Sequence, residues 1–222
     1  MNILIVSGGS ISLPFLETFI KKQKFDRVIA ADAGLAACHA IGLIPTDILG
    51  DFDSLSNLEL REYYREQGIP VREFPTRKDF TDTHLAMLYA MDLWKSLKKK
   101  EGSVYIVGAL GTRMDHGLAN IGLLMSFADQ HIPAYIVDDH NEMEIVKGPV
   151  EKIYYRNPEK MYFSILPFSS SIKGVDLIGF SYPLENAELK AYESMGISNE
   201  ITEEKATLRI KEGYALIVQA CD

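Results

Sequence analysis

Short apolar runs alternate with stretches of helical spacing between residues 3 and 137, and this alternation restricts the possible folds more than any other feature of the sequence. Runs that are apolar on both faces are typical of strands buried in a parallel sheet. Consecutive parallel strands must be joined by crossover connections, and helices commonly form them. Such crossovers are almost always right-handed. We therefore expect an α/β fold, with a mostly parallel sheet in a Rossmann-like α/β/α sandwich. The predicted strands lie at 3–6, 27–31, 48–49, 71–74, 104–107 and 134–137.

The pattern changes near residue 141. From there on, short strand-like runs are separated by turns such as Asn157-Pro158 and Glu212-Gly213, the second of which is a hairpin signal. A helical interpretation is available only for about one turn near 184–190. A series of short strands without long helices predicts an all-β sandwich. We place the domain boundary between residues 142 and 143, which gives an α/β domain at 1–142 and a β-sandwich domain at 143–222.

The charge balance and the cysteines argue against two kinds of function, nucleic-acid binding and zinc binding. The chain has 222 residues, of which 23 are basic and 31 acidic, for a net charge of −8. Nucleic-acid binding needs a basic face, so we expect no nucleic-acid partner. Cys38 and Cys221 are far apart and outside any Cys/His cluster, so a zinc site is not expected. Because no apolar stretch approaches the roughly 18 residues of a membrane helix, we expect a cytoplasmic protein with no membrane partner.

Two carboxylates lie two residues apart in the segment Gly50-Asp51-Phe52-Asp53-Ser54. In an extended backbone, residues i and i+2 point to the same side, so Asp51 and Asp53 would face one point in space. Two carboxylates that close repel each other unless a cation or a shared proton lies between them. Magnesium is commonly held by one or two carboxylates together with substrate phosphates. The segment therefore indicates a magnesium site, although Gly, Asp and Ser also favour an ordinary turn.

Other loops that follow predicted strands carry groups suited to phosphate or metal. Each has a structural alternative, because Asp32 and Asp79 could be helix N-caps and Asp82 and Asp115 could be first-turn acids. Loops after parallel strands meet at one edge of the sheet, so their joint occurrence favours a metal–polyphosphate site there. Phosphoryl-type transfer, which depends on positioning and charge neutralisation, fits such a site. The residues concerned are Gly8, Gly9, Asp32, Lys78, Asp79, Thr81, Asp82, Arg113, Asp115 and His116.

A helix is predicted from about Met114 to Asp129. Its expected apolar stripe consists of Leu118, Ile121, Met125 and Ala128. Arg113, His116 and Asn120 are spaced i, i+3 and i+7, which predicts a polar face at the start of the helix. A glycine loop leading into a helix with arginine at its start is a good anion site.

Four segments, taken in order, resemble the motifs of the thiamine pyrophosphokinase family: GDFDS at 50–54, KDFTD at 78–82, GTRMDHGLAN at 111–120 and GISNE at 196–200. The resemblance extends over the whole chain. It implies an ATP- and magnesium-binding catalytic domain at 1–142 and a thiamine-binding domain at 143–222. The implied reaction transfers a diphosphate from ATP to the hydroxyethyl group of thiamine, giving thiamine diphosphate and AMP. The resemblance also implies a homodimer with thiamine bound near the subunit interface.

The resemblance assigns roles to individual residues. The implied magnesium ligands are Asp51, Asp53 and Asp82, and these three with Asp115 form the implied catalytic set. The implied ATP-binding residues are Asp32, Thr81, Arg113, Asp115, His116 and Asn120. The implied thiamine-binding residues are Ser198, Asn199 and Lys78, with Tyr182 as a candidate for the aromatic that packs on the thiamine rings. Some relatives have glutamine at position 78, so Lys78 could meet either thiamine or phosphate.

Two other functions are compatible with the residues themselves. One is a magnesium-dependent nucleotide phosphohydrolase in which an aspartate of the GDFDS segment is the nucleophile. The other is a non-enzymatic nucleotide sensor whose β domain binds a partner. The general base of the transfer reaction also stays open between Asp53, Asp82 and none.

Overall fold

The structure is a computed structural model that describes residues 1–51, 55–75, 79–97 and 101–222. The chain divides into two compact units. The first, called here the α/β unit, consists of residues 1–123 and 132–139, and the second, the β unit, of residues 124–131 and 140–222. In the described part of the chain, none of the helices is long and apolar enough to cross a membrane.

The α/β unit is built on a parallel sheet with strand order β6-β5-β1-β2-β3-β4. The central strand β1 is paired from Ile3↔Val104 on one side and from Ile3↔Arg27 on the other. All four residues of β1 are fully buried, which explains its uninterrupted apolar sequence. The strands are β1 (Ile3–Val6), β2 (Arg27–Ala31), β3 (Asp47–Gly50), β4 (Val71–Glu73), β5 (Val104–Val107) and β6 (Ala134–Val137).

Helices cover both faces of this sheet. Leu4, Val6 and Ala30 pack in one core with residues of α1, α2 and α3. Because alternate residues of a strand point to opposite faces, the remaining residues of these strands face the other side of the sheet. On that side α4 contacts β1, β2 and β3. The helices are α1 (Leu13–Lys22), α2 (Gly34–Ala40), α3 (Leu55–Glu66), α4 (Asp82–Lys95) and α5 (Met114–Asp129).

The β unit contains two antiparallel sheets with a shared apolar core. One sheet has the order β12-β9-β14-β7 and the other β11-β10-β13-β8. Phe163 and Ile217 of the first sheet are clustered with Val175 and Leu208 of the second, and all four are buried. The strands are β7 (Asn141–Lys147), β8 (Val150–Tyr155), β9 (Tyr162–Pro167), β10 (Ser171–Ile178), β11 (Leu184–Lys190), β12 (Asn199–Glu200), β13 (Lys205–Ile210) and β14 (Tyr214–Ala220).

The predicted fold class, a parallel α/β/α arrangement followed by a β-sandwich, is confirmed. Two local predictions are wrong. Residues 184–190 form strand β11 and not a helical turn, because they pair with β10. The predicted apolar stripe of α5 is wrong at Leu118, which is 58% exposed, whereas Leu124 and Phe127 are buried.

Candidate active site

A cavity of about 490 Å³ lies at the carboxyl ends of β1, β2 and β5 in the α/β unit. The strand order reverses between β1 and β5, and open α/β sheets bind ligands at such a switch point. The loops after these strands line the cavity together with the first turn of α4. Residues predicted from the sequence that line it are Asp32, Thr81, Asp82, Arg113, His116 and Asn120.

The two central loops of the cavity approach each other too closely for side chains. The Gly9 N–H donates to the Gly108 carbonyl at 2.8 Å, and the Ser10 N–H donates to the Leu110 carbonyl at 3.0 Å. A Cβ on Gly9 would lie 2.4 Å from the Gly108 oxygen and 2.5 Å from the Leu110 oxygen. Glycine at position 9 is therefore required for the contact. The hydrogen bonds join the loops after β1 and β5 into one wall of the cavity.

Asp32 has an unusual backbone conformation directly after β2. Its φ of 46° lies in the left-handed region, which non-glycine residues rarely adopt. Its N–H donates to the Leu49 carbonyl at 2.8 Å, which ties it to the end of β3. The N-cap position of α2 is Ala33, so the alternative of Asp32 as that N-cap is wrong. A strained residue that lines a cavity is typical of a functional position.

Helix α4 brings Asp82 to the cavity in its first turn. Thr81 is the N-cap, and its Oγ1 accepts from the His84 N–H at 3.2 Å, so the N-cap alternative for Asp79 is wrong. An acid in the first turn of a helix is favoured by the helix dipole. Next to Asp82, the Thr83 hydroxyl is hydrogen-bonded to the Ser7 hydroxyl at 2.5 Å. Ser7 and Thr83 also line the cavity, and the sequence reasoning missed both.

Arg113 and Asp115 form an exposed ion pair at the start of α5. The Arg113 Nη2 donates to the Asp115 Oδ2 at 2.5 Å, and its Nε donates to Oδ1 at 3.2 Å. The hydrogen bond from Arg113 lowers the pKa of the Asp115 carboxyl below its ordinary value. Arg113 lines the cavity and Asp115 does not. Asp115 therefore holds the guanidinium at the cavity edge, where it can contact an anion.

His116 and Asn120 line the same cavity in different ways. Asn120 is 5% exposed, and its Nδ2 donates to the Ala109 carbonyl at 2.7 Å. This bond braces the loop after β5 against α5, so the amide has a structural task. His116 is exposed at the cavity edge. The predicted polar face of α5 is thus divided between the buried Asn120 and the exposed side chains of Arg113 and His116.

The three implied metal ligands are only partly described. Asp51 directly follows β3 and is half-buried, Asp82 lines the cavity, and Asp53 lies outside the described residues, as does Lys78. Within the described ranges, no group of three or more His, Cys, Asp or Glu side chains could hold a metal ion. The carboxylate donors at the strand ends fit a hard cation that takes its other oxygen ligands from phosphates.

A second cavity, of about 440 Å³, lies in the β unit beside Ser198 and Asn199. Asn199 is 2% exposed, and its Oδ1 accepts from the Tyr182 N–H at 2.9 Å while its Nδ2 donates to the Tyr182 carbonyl at 2.8 Å. Ser198 has a φ of 54°, and its N–H donates to the Ser164 Oγ at 3.0 Å. Tyr182 lines this cavity and is 71% exposed. Asn199 therefore fixes the backbone that carries the Tyr182 ring.

Comparison with known proteins identifies the family. Residues 18–136 match the family model of the thiamin pyrophosphokinase catalytic domain, and residues 151–215 match that of the thiamin pyrophosphokinase vitamin B1 binding domain. The thiamine pyrophosphokinase of Bacillus subtilis (strain 168) is 31% identical over 223 residues, which cover 100% of this chain and 99% of that protein.

Solved structures agree with this result. The crystal structure of thiamine pyrophosphokinase from Bacillus subtilis has a TM-score of 0.87 at 28% identity and covers 100% of both chains. Yeast thiamin pyrophosphokinase shares the fold, with a TM-score of 0.81 at 17% identity over 99% of this chain and 86% of that one. These matches support diphosphate transfer over the phosphohydrolase and sensor alternatives. The chain belongs to the thiamin pyrophosphokinase family, whose members transfer a diphosphate group to thiamine.

Proposed function

We propose that this chain transfers the terminal diphosphate of ATP to the hydroxyethyl group of thiamine with the help of magnesium, giving thiamine diphosphate and AMP. The observation that carries the proposal is the cavity at the switch point between β1 and β5. It combines Asp32 and Asp82 with Arg113 and with the glycine-rich loops after both strands. Acids and a cation around closely packed backbone are suited to a metal-bound polyphosphate.

In this proposal ATP occupies the cavity of the α/β unit. Its volume of about 490 Å³ is within the range of small-molecule sites. Arg113 contacts a phosphate through the planar guanidinium that Asp115 orients, and arginine is well suited to such bidentate contacts. Thr81, His116 and Asn120 also line the proposed nucleotide site.

Asp51, Asp53 and Asp82 are the proposed magnesium ligands. Their oxygen donors suit this cation, and few protein ligands are needed where substrate phosphates supply the rest. A magnesium ion bound there would neutralise phosphate charge as the diphosphate moves.

The proposed transfer is an in-line displacement at the β-phosphorus. The thiamine hydroxyl oxygen forms a bond to that phosphorus, the bond from the phosphorus to the oxygen bridging the α- and β-phosphates breaks, and AMP leaves with the electron pair. Arg113 stabilises charge on the phosphate oxygens during the displacement. The hydroxyl proton passes to Asp82, to Asp53 or to solvent.

The β unit supplies the proposed thiamine site. The cavity beside Ser198 and Asn199 has the exposed Tyr182 ring on its lining, and an aromatic face can pack against the cationic thiazolium. Ser198 offers a hydroxyl, and Asn199 fixes the backbone of Tyr182. Lys78, which lies outside the described residues, is a further proposed thiamine-binding residue.

We also infer a homodimer in the cytoplasm. The outer face of the sheet β11-β10-β13-β8 carries three partly exposed apolar side chains, Ile153 at 47%, Tyr155 at 67% and Ile178 at 48%. Adjacent exposed apolar residues on a sheet are typical of an interaction surface. Both cysteines are free, which fits a reducing compartment. Sedimentation equilibrium of the purified chain tests the dimer, and a monomer at micromolar concentration would contradict it.

The direct test of the reaction is to incubate the protein with MgATP and thiamine and to identify the nucleotide product. AMP formed in equal amount with thiamine diphosphate is expected. ADP would instead indicate transfer of a single phosphoryl group, and ATP consumption without thiamine would indicate a phosphohydrolase.

Substitution of Asp82 tests the assigned site. The Asp82→Asn variant keeps the volume of the side chain and removes its charge, so it should lose at least about 100-fold in kcat while remaining folded. Near-wild-type activity at saturating magnesium would remove Asp82 from the metal site.

A further inference from the structure

Two hydroxyl groups that no motif singled out are joined beside Asp82. The Ser7 Oγ and the Thr83 Oγ1 are 2.5 Å apart, and Ser7 is 2% exposed. Ser7 directly follows the central strand β1 of the sheet, and Thr83 follows Asp82 in the first turn of α4. The contact thus connects the middle of the sheet to the turn that carries a proposed magnesium ligand.

Ser7 is held rigidly on its own side of the contact. Its N–H donates to the Val107 carbonyl at 2.9 Å. Its carbonyl oxygen would lie 2.4 Å from a Cβ on Gly108, so the backbone of the neighbouring loop is packed directly against it. A buried side chain on a backbone fixed in this way has little conformational freedom. The Ser7 hydroxyl therefore holds a well-defined position for its hydrogen bond with Thr83.

Residues 82–85, which form the first turn of α4, are only half-buried. The buried residues of α4 begin at Ala86, four positions after Asp82. The capping hydrogen bond, in which the His84 N–H donates to the Thr81 Oγ1, joins residues of the same helix end. The preceding Asp79 and Phe80 are exposed. The Ser7–Thr83 hydrogen bond is thus a tertiary contact of the turn that contains Asp82.

We infer that Ser7 and Thr83 act as a positioning pair, which fixes the first turn of α4 and so holds the Asp82 carboxylate where a metal-bound nucleotide can use it. This inference rests on the proposed function, because it assigns Asp82 to the metal. It adds two residues to the site that neither the family motifs nor the charge pattern indicate. Neither residue needs to contact the substrate to have this effect.

The chain offers a matched control on the same helix. The Tyr89 hydroxyl donates to the Asp47 Oδ1 at 2.8 Å, which ties α4 to the start of β3. Tyr89 is seven residues beyond Asp82, or about 10 Å along the helix. Tyr89→Phe removes one hydroxyl and one hydrogen bond from α4, as Thr83→Val does, but at a distance from the cavity.

The experiment measures binding of MgATP and of metal-free ATP by calorimetry without thiamine. Ser7→Ala and Thr83→Val should each weaken MgATP binding by about three- to tenfold, as expected for the loss of one hydrogen bond, and should leave the binding of metal-free ATP unchanged. The double variant should bind MgATP as tightly as the single variant with the larger loss of affinity, because both changes remove the same contact. Thr83→Ser should restore wild-type binding, and Tyr89→Phe should lower only the urea midpoint.

Three outcomes would overturn the inference. Additive losses would mean that the two hydroxyls act separately, for example by each contacting the nucleotide. Equal weakening of MgATP and metal-free ATP would mean that the effect does not pass through the metal ligand. Unchanged binding in all variants would make the contact merely structural. Wild-type protein that forms no thiamine-dependent AMP, while the variants still differ in MgATP binding, would instead refute the proposed reaction and leave the positioning role standing.

Discussion

Replacing Gly9 by alanine should force apart the two loops that line the cavity of the α/β unit. The added Cβ would lie 2.4 Å from the Gly108 oxygen and 2.5 Å from the Leu110 oxygen, where ordinary contact begins at 3.4 Å. The deficits are 3.4 − 2.4 = 1.0 Å and 3.4 − 2.5 = 0.9 Å. Both neighbours are backbone atoms, so no side-chain rotation can relieve the overlap. The loops after β1 and β5 must therefore separate by about 1 Å.

This displacement has a cost in stability and a cost in activity. The hydrogen bonds donated by Gly9 and Ser10 contribute about 1 kcal/mol each, and overpacking adds about 1–3 kcal/mol. The free energy of unfolding should fall by about 3–5 kcal/mol if both bonds are lost. A typical domain has about 5–15 kcal/mol, so most of the protein should stay folded. A displacement of about 1 Å at a reacting group can lower the rate about 100-fold.

Urea denaturation and steady-state kinetics measure the two effects separately. Gly122→Ala is the matched control, because a Cβ there meets nothing within 4 Å and Gly122 lies inside α5, away from the cavity lining. The free energy of unfolding of that variant should rise by about 0.5–1 kcal/mol, since glycine is a poor helix residue. Its activity should equal that of the wild type. A Gly9→Ala variant with wild-type stability and wild-type kcat/KM would refute the steric argument.

Two further predictions concern the β unit. Burial, and secondarily the nearby Glu144, raise the pKa of Glu142 above its ordinary value. The neutral carboxyl therefore contributes stability below the unfolded-state pKa of about 4.3. This contribution is lost as the pH rises through the higher folded-state pKa. Glu142→Gln should therefore unfold at a higher urea concentration than wild type at pH 7, with little difference at pH 4, and an equal difference at both pH values would contradict the assignment. Asn199→Ala removes both hydrogen bonds to the Tyr182 backbone. It should lower the free energy of unfolding by about 1–3 kcal/mol and raise the KM for thiamine, and an equal rise in the KM for ATP would contradict a role confined to the proposed thiamine site.

Tertiary contacts changed the interpretation of several residues within correctly predicted elements. Leu118 was assigned to the buried stripe of α5 by its spacing, yet it is exposed, and the polar Asn120 is buried instead. Helical periodicity defines a possible apolar face, but packing in the folded chain decides which face is covered. Asn120 can be buried because its Nδ2 donates to the Ala109 carbonyl of the neighbouring loop. Residues 184–190 were ambiguous for a related reason, since pairing with β10 settled their conformation.

The alternation of apolar runs and helical stretches was enough to predict the fold class, and it also predicted the edge of the sheet at which the candidate site lies. Runs apolar on both faces that alternate with helices are typical of strands in a covered parallel sheet, and the loops after such strands meet at one edge. Which distant side chains contact each other became known from the folded structure alone. Asn199 holds the backbone of Tyr182 across 17 residues of sequence, and Ser7 reaches Thr83 across 76 residues. Pairings of this kind depend on the order of strands and on the depth of burial, and no local spacing in the chain encodes either.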